Sequence, residues 1–288
     1  VYTRKNQRNL SRAEKSSFVH AVLELKRRGA YDEFVGLHAQ YYVSDAQDGV
    51  RAGHMAPSFL PWHRRLLLEF ESALREVDPK VTVPYWDWTV DNSPTASLWA
   101  EDFLGGNGRS GDQQVMTGPF AYAAGNWRIR RGVRDDGFLT RNFGRPAAPV
   151  TLPSKAELAG ALNEKVYDAA PWDSTAASGF RNRLEGWTTG GGGTEPWLNH
   201  NRVHRWVGGE MLGAASPNDP VFWLHHAFID LVWDRWQKQH PKATYLPLKR
   251  LPPDDPQSGR AISQEEPMPP WDVAPSALLR HQGVYTYA

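Results

Sequence analysis

The segment 198–230, LNHNRVHRWVGGEMLGAASPNDPVFWLHHAFID, constrains this chain more than any other part of it. His200 and His204 stand four residues apart, so on a helix they lie one turn above each other on one face. Two imidazoles at that spacing can reach one metal ion. Asn218-Asp219-Pro220 then supplies a helix start, and the apolar run behind it carries His225 and His226. A third imidazole from that second helix would complete a site made of nitrogen donors alone. Two histidines at helical spacing also arise by chance, so the rest of the chain has to decide.

The 288 residues are 40% apolar and include 13 Trp, 10 Tyr and 11 Phe, enough for a sizeable core in one large domain or two ordinary ones. Lys and Arg number 33 against 32 Asp and Glu, a balance that argues against nucleic acid or an anionic membrane as main partner. No apolar run reaches the roughly 18 to 20 residues of a membrane span. The opening VYTRKNQRNL lacks the apolar core of a secretory signal. The expectation is a soluble protein, either kept in the cytoplasm or exported by a signal it does not itself carry. The absence of cysteine excludes disulfides, thiolate zinc sites and a cysteine nucleophile, and leaves the redox compartment open.

Taken in order, Ser11-Arg12-Ala13-Glu14 is a capping box, and Phe18, Ala21, Val22 and Leu25 follow at helical spacing up to Gly29. A second helix is predicted from about Tyr31 to Tyr42, with Phe34, His38 and Tyr41 on one face. A histidine alone on an apolar face is usually a core residue. Residues 44–55 read as a loop that delivers His54. Pro57 to Pro61 punctuates the entry into a helix ending near Asp78-Pro79, whose inward stripe is His63, Leu66, Leu67, Phe70 and Leu74. Residues 81–88, VTVPYWDW, read as a buried extended segment. From Asp91 to about Gly190 the chain is mostly irregular, with short helices near 155–162 and 178–184, and a loop region this long suits the wall of an active site. Residues 188–194, TTGGGGT, form an insertion just before His200. The helix from Asp219 runs to about His240, and the proline-rich tail from Tyr245 is expected to wrap the surface.

His20, His240 and His281 sit in polar sequence and are set aside. Six others divide into His38, His54 and His63, and His200, His204 and His226. Two sites of three neutral imidazoles, with neither thiolate nor carboxylate, suit copper better than zinc or iron and leave room for dioxygen. A single three-histidine site would fit a zinc hydrolase equally well. His225 and His226 diverge by about 100° on a helix, so one face cannot offer both to one metal. His226 is preferred because Asp230, one turn on, is placed to support it.

The segments HMAPSFLPWHRRLLLEFE, VPYWDW, FRNRLEGW, NHNRVHRWVGG and SPNDPVFWLHHAFID resemble those of bacterial tyrosinases, the type-3 dicopper oxidases. The likeness runs from Arg4 to the C-terminus and is strongest to the actinomycete enzymes, including their o-aminophenol oxidase branch. It implies a mainly α single domain over 1–288, with a central four-helix bundle, long irregular loops and a few short strands. It implies two copper ions, the first held by His38, His54 and His63 and the second by His200, His204 and His226. It implies O2-dependent oxidation of phenols, o-diphenols or o-aminophenols to o-quinones or o-quinone imines, and a small accessory protein that delivers the copper. Glu185 and Asn201 match a family pair that holds a water able to deprotonate monophenols, though a loop cap and a solvent-facing helix residue are the plain alternatives. Arg205, next to a ligand, is expected at the pocket border, where it would pair with a substrate carboxylate or else face solvent. Phe222 is either a stacking wall or core, and Ala214 and Ala215 would keep the rim roomy. The long insertion before His200, the sequence LHAQYY around His38, and Arg183 where the melanin-forming enzymes carry histidine resemble the aminophenol branch. They predict that tyrosine is a poor substrate. An oxygen carrier of the haemocyanin kind and a dizinc hydrolase are the competing readings.

Overall fold

The computed structural model describes residues 1–133, 136–187 and 197–288. The insertion at 188–194 therefore lies outside the described residues. The architecture is mainly helical. Helix α1 (Arg12–Arg28) starts on the Ser11–Glu14 capping box and stops at Gly29, whose φ of 82° is the left-handed conformation that closes a helix and opens the next. Helix α2 (Ala30–Gln40) follows directly. Helix α3 (Phe59–Val77) ends at Asp78, just before Pro79, as the residue ahead of a proline requires. Two short helices, α4 (Lys155–Leu162) and α5 (Phe180–Glu185), interrupt the irregular stretch. Helices α6 (Asn199–Val207) and α7 (Val221–Gln239) complete the set.

Helix α7 is buried almost all round, from Val221 through Asp234, which makes it the central element. It packs on α3, where Phe70 lies flat against Trp223 with ring centroids 3.6 Å apart. Helix α6 packs on α7 through its buried face of His200, Val203, Trp206 and Val207. Helices α2, α3, α6 and α7 thus surround the middle of the molecule, and residues 81–88 run beneath them as the expected buried extended segment. No helix among the described residues is long and apolar enough to cross a membrane.

The two ends of the chain meet as a parallel pair, β1 (Tyr2–Arg4) and β2 (Tyr285–Tyr287). Arg4 passes inward from β1 and is fully buried, 2.8 Å from Glu71 of α3 and 3.3 Å from Asp230 of α7. Arg64 reaches Asp230 at 2.6 Å, and the hydroxyls of Tyr285 and Tyr287 donate to the same carboxylate. Two guanidinium groups and two hydroxyls hold this carboxyl below its ordinary range despite complete burial. This corrects two expectations. Asp230 is spent on fastening the termini to α3 and α7, because two buried arginines need a counter-charge there. The tail does not merely wrap the surface, since Tyr245, Ile262, Met268, Leu278 and Tyr285 are core residues.

Candidate metal centre

Seven imidazoles converge between α2, α3, α6 and α7. His38, on α2, His54, on the loop before α3, and His63, on the first turns of α3, bring one ring nitrogen each within 4.8 Å of one another. Their ring centroids are 4.9 to 5.6 Å apart. His200 and His204 on α6 and His225 and His226 on α7 form a second such group. The two groups face each other: His63 stacks on His226 at 4.2 Å, and His54 lies 6.2 Å from His200. Helix spacing explains the α6 half of the second group, for the rings of residues 200 and 204, one turn apart, meet edge to face at 4.5 Å.

In His38, His63, His200 and His204, hydrogen bonds fix which nitrogen is free. The Nδ1–H of His38 donates to the Ala214 carbonyl at 2.6 Å, that of His63 to the Phe59 carbonyl at 2.9 Å, and that of His204 to the Met211 carbonyl at 2.7 Å. In each of these three rings Nε2 is buried and has no partner. His200 donates from Nδ1 to the Asn201 side-chain oxygen at 2.9 Å, and its Nε2 lies 3.3 Å from Nε2 of His226. Buried polar atoms without partners are rare, and neutral imidazoles whose far nitrogen is held by a carbonyl are what metal ligation requires. Burial keeps these rings neutral: it pulls the imidazolium pKa of His38 down to about 3 and that of His204 to about 4, and those of the other five well below the ordinary value. The donor set, all nitrogen and all neutral, fits two copper ions.

His225 requires a correction. The divergence of consecutive helix residues does not take it away from the second group, because its ring comes within 5.1 Å of both His200 and His204. Its tautomer sets it apart instead. The indole N–H of Trp88 donates to Nδ1 of His225 at 3.2 Å, so in the neutral ring the proton sits on Nε2 and leaves no lone pair there. Asp230 does not touch His226, whose Nδ1 has no partner. His281 is also buried, between Asp234 and the Tyr285 carbonyl, rather than in a polar exterior.

A cleft of about 80 Å³ opens onto the centre, lined by Tyr42, His54, Trp187, Trp197, His200, Asn201, His204, Arg205, Met211, Leu212, Gly213 and Ser216. Drug-sized sites run from about 300 Å³ upward, so this cleft suits a single ring. Glu185 and Asn201 meet at one atom: Nδ1 of His200 lies 2.9 Å from the Asn201 oxygen and 3.3 Å from the Glu185 carbonyl. The Glu185 carboxylate is fully buried, accepting from the Met55 N–H at 2.7 Å and from Arg181 at 3.0 Å. Burial raises its pKa against the opposing pull of Arg181. The side-chain nitrogen of Asn201 is buried with no partner. Arg205 borders the cleft with its guanidinium 4.1 Å above the Trp197 ring.

Phe222 is not in the cleft wall. It is fully buried beneath the centre, 4.2 Å from His226 and 4.9 Å from His38. Ala214 contributes its carbonyl to His38, Ala215 packs on the core, and the cleft is lined by their neighbours Gly213 and Ser216 instead. Arg183 pairs with Glu164. Sequence reasoning missed Tyr42, which stands four residues after His38, and Trp88, inside the aromatic run that precedes the long irregular region. Tyr42 lies just past the end of α2 at Gln40, so helical spacing does not place it, and nothing marked Trp88.

A family described as the common central domain of tyrosinase matches residues 28–239. Tyrosinase of Streptomyces antibioticus is 53% identical over 288 residues, covering 99% of this chain and 98% of its own length. Grixazone synthase of Streptomyces griseus is 44% identical over 315 residues, covering 100% of this chain and 99% of its own. Among solved structures, a polyphenol oxidase from Thermothelomyces thermophila superposes with a TM-score of 0.62 at 25% identity, over 93% of this chain and 75% of that one. The chain belongs to the tyrosinase family, the dinuclear-copper oxidoreductases that oxidise phenols with O2.

Proposed function

We propose that His38, His54 and His63 hold one copper ion and His200, His204 and His226 the other, and that the enzyme oxidises o-diphenols and o-aminophenols faster than tyrosine. The facing of the two imidazole groups, with His63 stacked on His226, is the observation that carries this reading. When bound, the copper pair supplies O2 activation and two-electron oxidation. Two o-diphenols give up two electrons and two protons each, and one O2 takes all four of each to become two waters. His225 stands beside the second ion as a neighbour fixed by Trp88.

A monophenol makes one demand more. Its hydroxyl has a pKa of about 10 and needs a base near neutral pH. Glu185 and Asn201 serve that step by holding a water against the free N–H of Asn201, at the edge of the ring of His200. Both carboxylate oxygens of Glu185 already accept bonds from Met55 and Arg181, which restrains the base and supports slow turnover of monophenols. Likeness to grixazone synthase over the whole chain, beside likeness to tyrosinases, supports a substrate range not centred on tyrosine. A small accessory protein that delivers copper fits a centre in which six of the seven imidazoles are closed off from solvent.

Steady-state kinetics of the copper-loaded protein on catechol, o-aminophenol and tyrosine test this. Rapid oxidation of the first two and slow oxidation of tyrosine is the expected result. Equally fast tyrosine oxidation without a lag contradicts the order of substrates. Reversible O2 uptake with no catechol turnover would make the protein a carrier instead. Copper content after expression with and without an accessory protein tests the delivery route, and equal loading would remove it.

A further inference from the structure

We infer that a closed circuit of buried polar groups, tied to the C-terminal tail, positions His54, with Arg51 and Gln257 as the positioning residues that set it. This deepens the proposed function and rests on its assignment of His54 as a ligand. His38, His63, His200 and His204 are each fixed by a hydrogen bond at Nδ1. His226 lacks such a bond but stands in α7, whose backbone fixes it. His54 has neither support: its Nδ1 is without a partner and its backbone is irregular. Tyr42 packs on the ring, but a ring contact does not fix the chain that carries it.

The mooring lies one residue on. Residues 51–58 are buried throughout although they have no regular structure, so their peptide groups must find partners elsewhere. Met55 is the most constrained of them. Its φ of 51° is the left-handed conformation that a side chain disfavours and that only surrounding contacts sustain. Buried charged side chains grip it from both sides: its N–H donates to Glu185 Oε1 at 2.7 Å, and its carbonyl accepts from Arg51 Nη1 at 2.7 Å. The two grips are one device. Arg181 donates to the other oxygen of Glu185 at 3.0 Å and to the Asp173 carbonyl at 3.0 Å. Gln257, on the tail, donates to the Asp173 carboxylate at 3.0 Å and accepts from Arg51. The path therefore runs from Met55 through Glu185, Arg181, Asp173, Gln257 and Arg51 back to Met55, and each of these residues is at most 8% exposed. The tail adds a backbone clamp, since the Arg51 N–H donates to the Arg260 carbonyl at 2.9 Å. Asp168 and Asp45 balance the two guanidinium charges. A satisfied buried network holds one arrangement, because any member that leaves strands its partners away from water. A packed apolar core would carry no such desolvation cost. The peptide this circuit holds is the one beside a ligand that has no other anchor.

The test follows copper leaving the loaded protein in excess EDTA, read by metal analysis. In Arg51→Gln one ion per chain leaves roughly tenfold faster, the factor of one lost buried hydrogen bond, while the other keeps its wild-type rate. Arg51→Lys recovers part of the difference. Gln257→Leu, at a residue that bonds to neither Met55 nor His54, speeds the same ion roughly threefold. His281→Gln loosens the tail elsewhere, at Asp234 and the Tyr285 carbonyl, and leaves both rates unchanged. Unchanged release in Gln257→Leu overturns the inference, as does equal acceleration of both ions, and Gln257→Leu decides alone if Arg51→Gln does not fold. If the wild type does not hold two copper ions, the reading of the centre is what fails, and hydrogen exchange of the metal-free chain then decides the circuit. Faster exchange across residues 51–58 in Gln257→Leu, with that of α1 unchanged, upholds it; equal exchange in both proteins overturns it.

Discussion

The first group of imidazoles draws one ring each from α2, a loop and α3, whereas the second draws all of its rings from α6 and α7. In the second, the pitch of α6 sets His200 over His204, and Asn201 and the Met211 carbonyl fix their tautomers locally. In the first, His54 rides on irregular backbone with no partner for Nδ1 and is held by packing against Tyr42. His38 leans on the Ala214 carbonyl, which belongs to the connection between α6 and α7. Among the described residues no ring of the first group makes a hydrogen bond to the second, whereas His38 relies on that carbonyl. Local helix geometry pre-organises one half of the centre, and tertiary contacts complete the other.

The strongest blow to either half is loss of a ligand. His63→Ala and His204→Ala should each abolish turnover and reduce bound copper from two ions to one, read by metal analysis. Retention of both ions in either variant would break the assignment. His226→Ala should behave likewise, while His225→Gln keeps both ions because its Nε2 is the protonated one. If His225→Gln loses copper instead, the tautomer argument is wrong.

Acid is the next lever. The folded-state pKa of His38 lies at about 3 and that of His204 at about 4, both below the unfolded value of about 6.5. The unfolded chain therefore binds more protons over that window, and stability of the metal-free protein falls as pH drops. Each such histidine contributes a slope of up to about 1.4 kcal/mol per pH unit. The loss begins near pH 6.5 and runs to about pH 4 for His204 and about pH 3 for His38. Denaturant titrations between pH 8 and pH 4 would show a plateau followed by a steep fall. A flat profile would mean that these rings are not kept neutral by burial.

A smaller effect separates structure from chemistry in the second half. Asn201→Ala removes both the acceptor of His200 and the free N–H, so monophenol oxidation should fall about tenfold more than diphenol oxidation. An equal loss on both would leave Asn201 as an anchor for His200 alone. The mildest change is Trp88→Phe, which costs roughly 1 kcal/mol of stability for the lost bond to His225 and leaves copper content and catechol turnover in place. Loss of copper here would show that the indole orients more than one ring.

Side-chain pattern made the helices legible. The capping box at Ser11 and the stop at Gly29 set α1, and the i, i+4 spacing set α6. Five of the six imidazoles proposed as ligands lie on such helices, and His54 stands on the loop before α3. What sequence could not show is carried by backbone or by distant partners. The acceptors for His38, His63 and His204 are main-chain carbonyls, which leave no mark in residue identity. Asp230 faces the right way to support His226, yet two arginines from α3 and the N-terminal strand claim it. His225 belongs to the cluster because rings pack across helices, a fact that angular spacing on one helix does not contain.

The most direct measurement is anomalous scattering at the copper edge from crystals of the loaded protein. Two peaks are predicted between α2, α3, α6 and α7, one at bonding distance from a ring nitrogen of each of His38, His54 and His63, the other from His200, His204 and His226. A single peak, or a second ion bound by His225 in place of His226, would contradict the account.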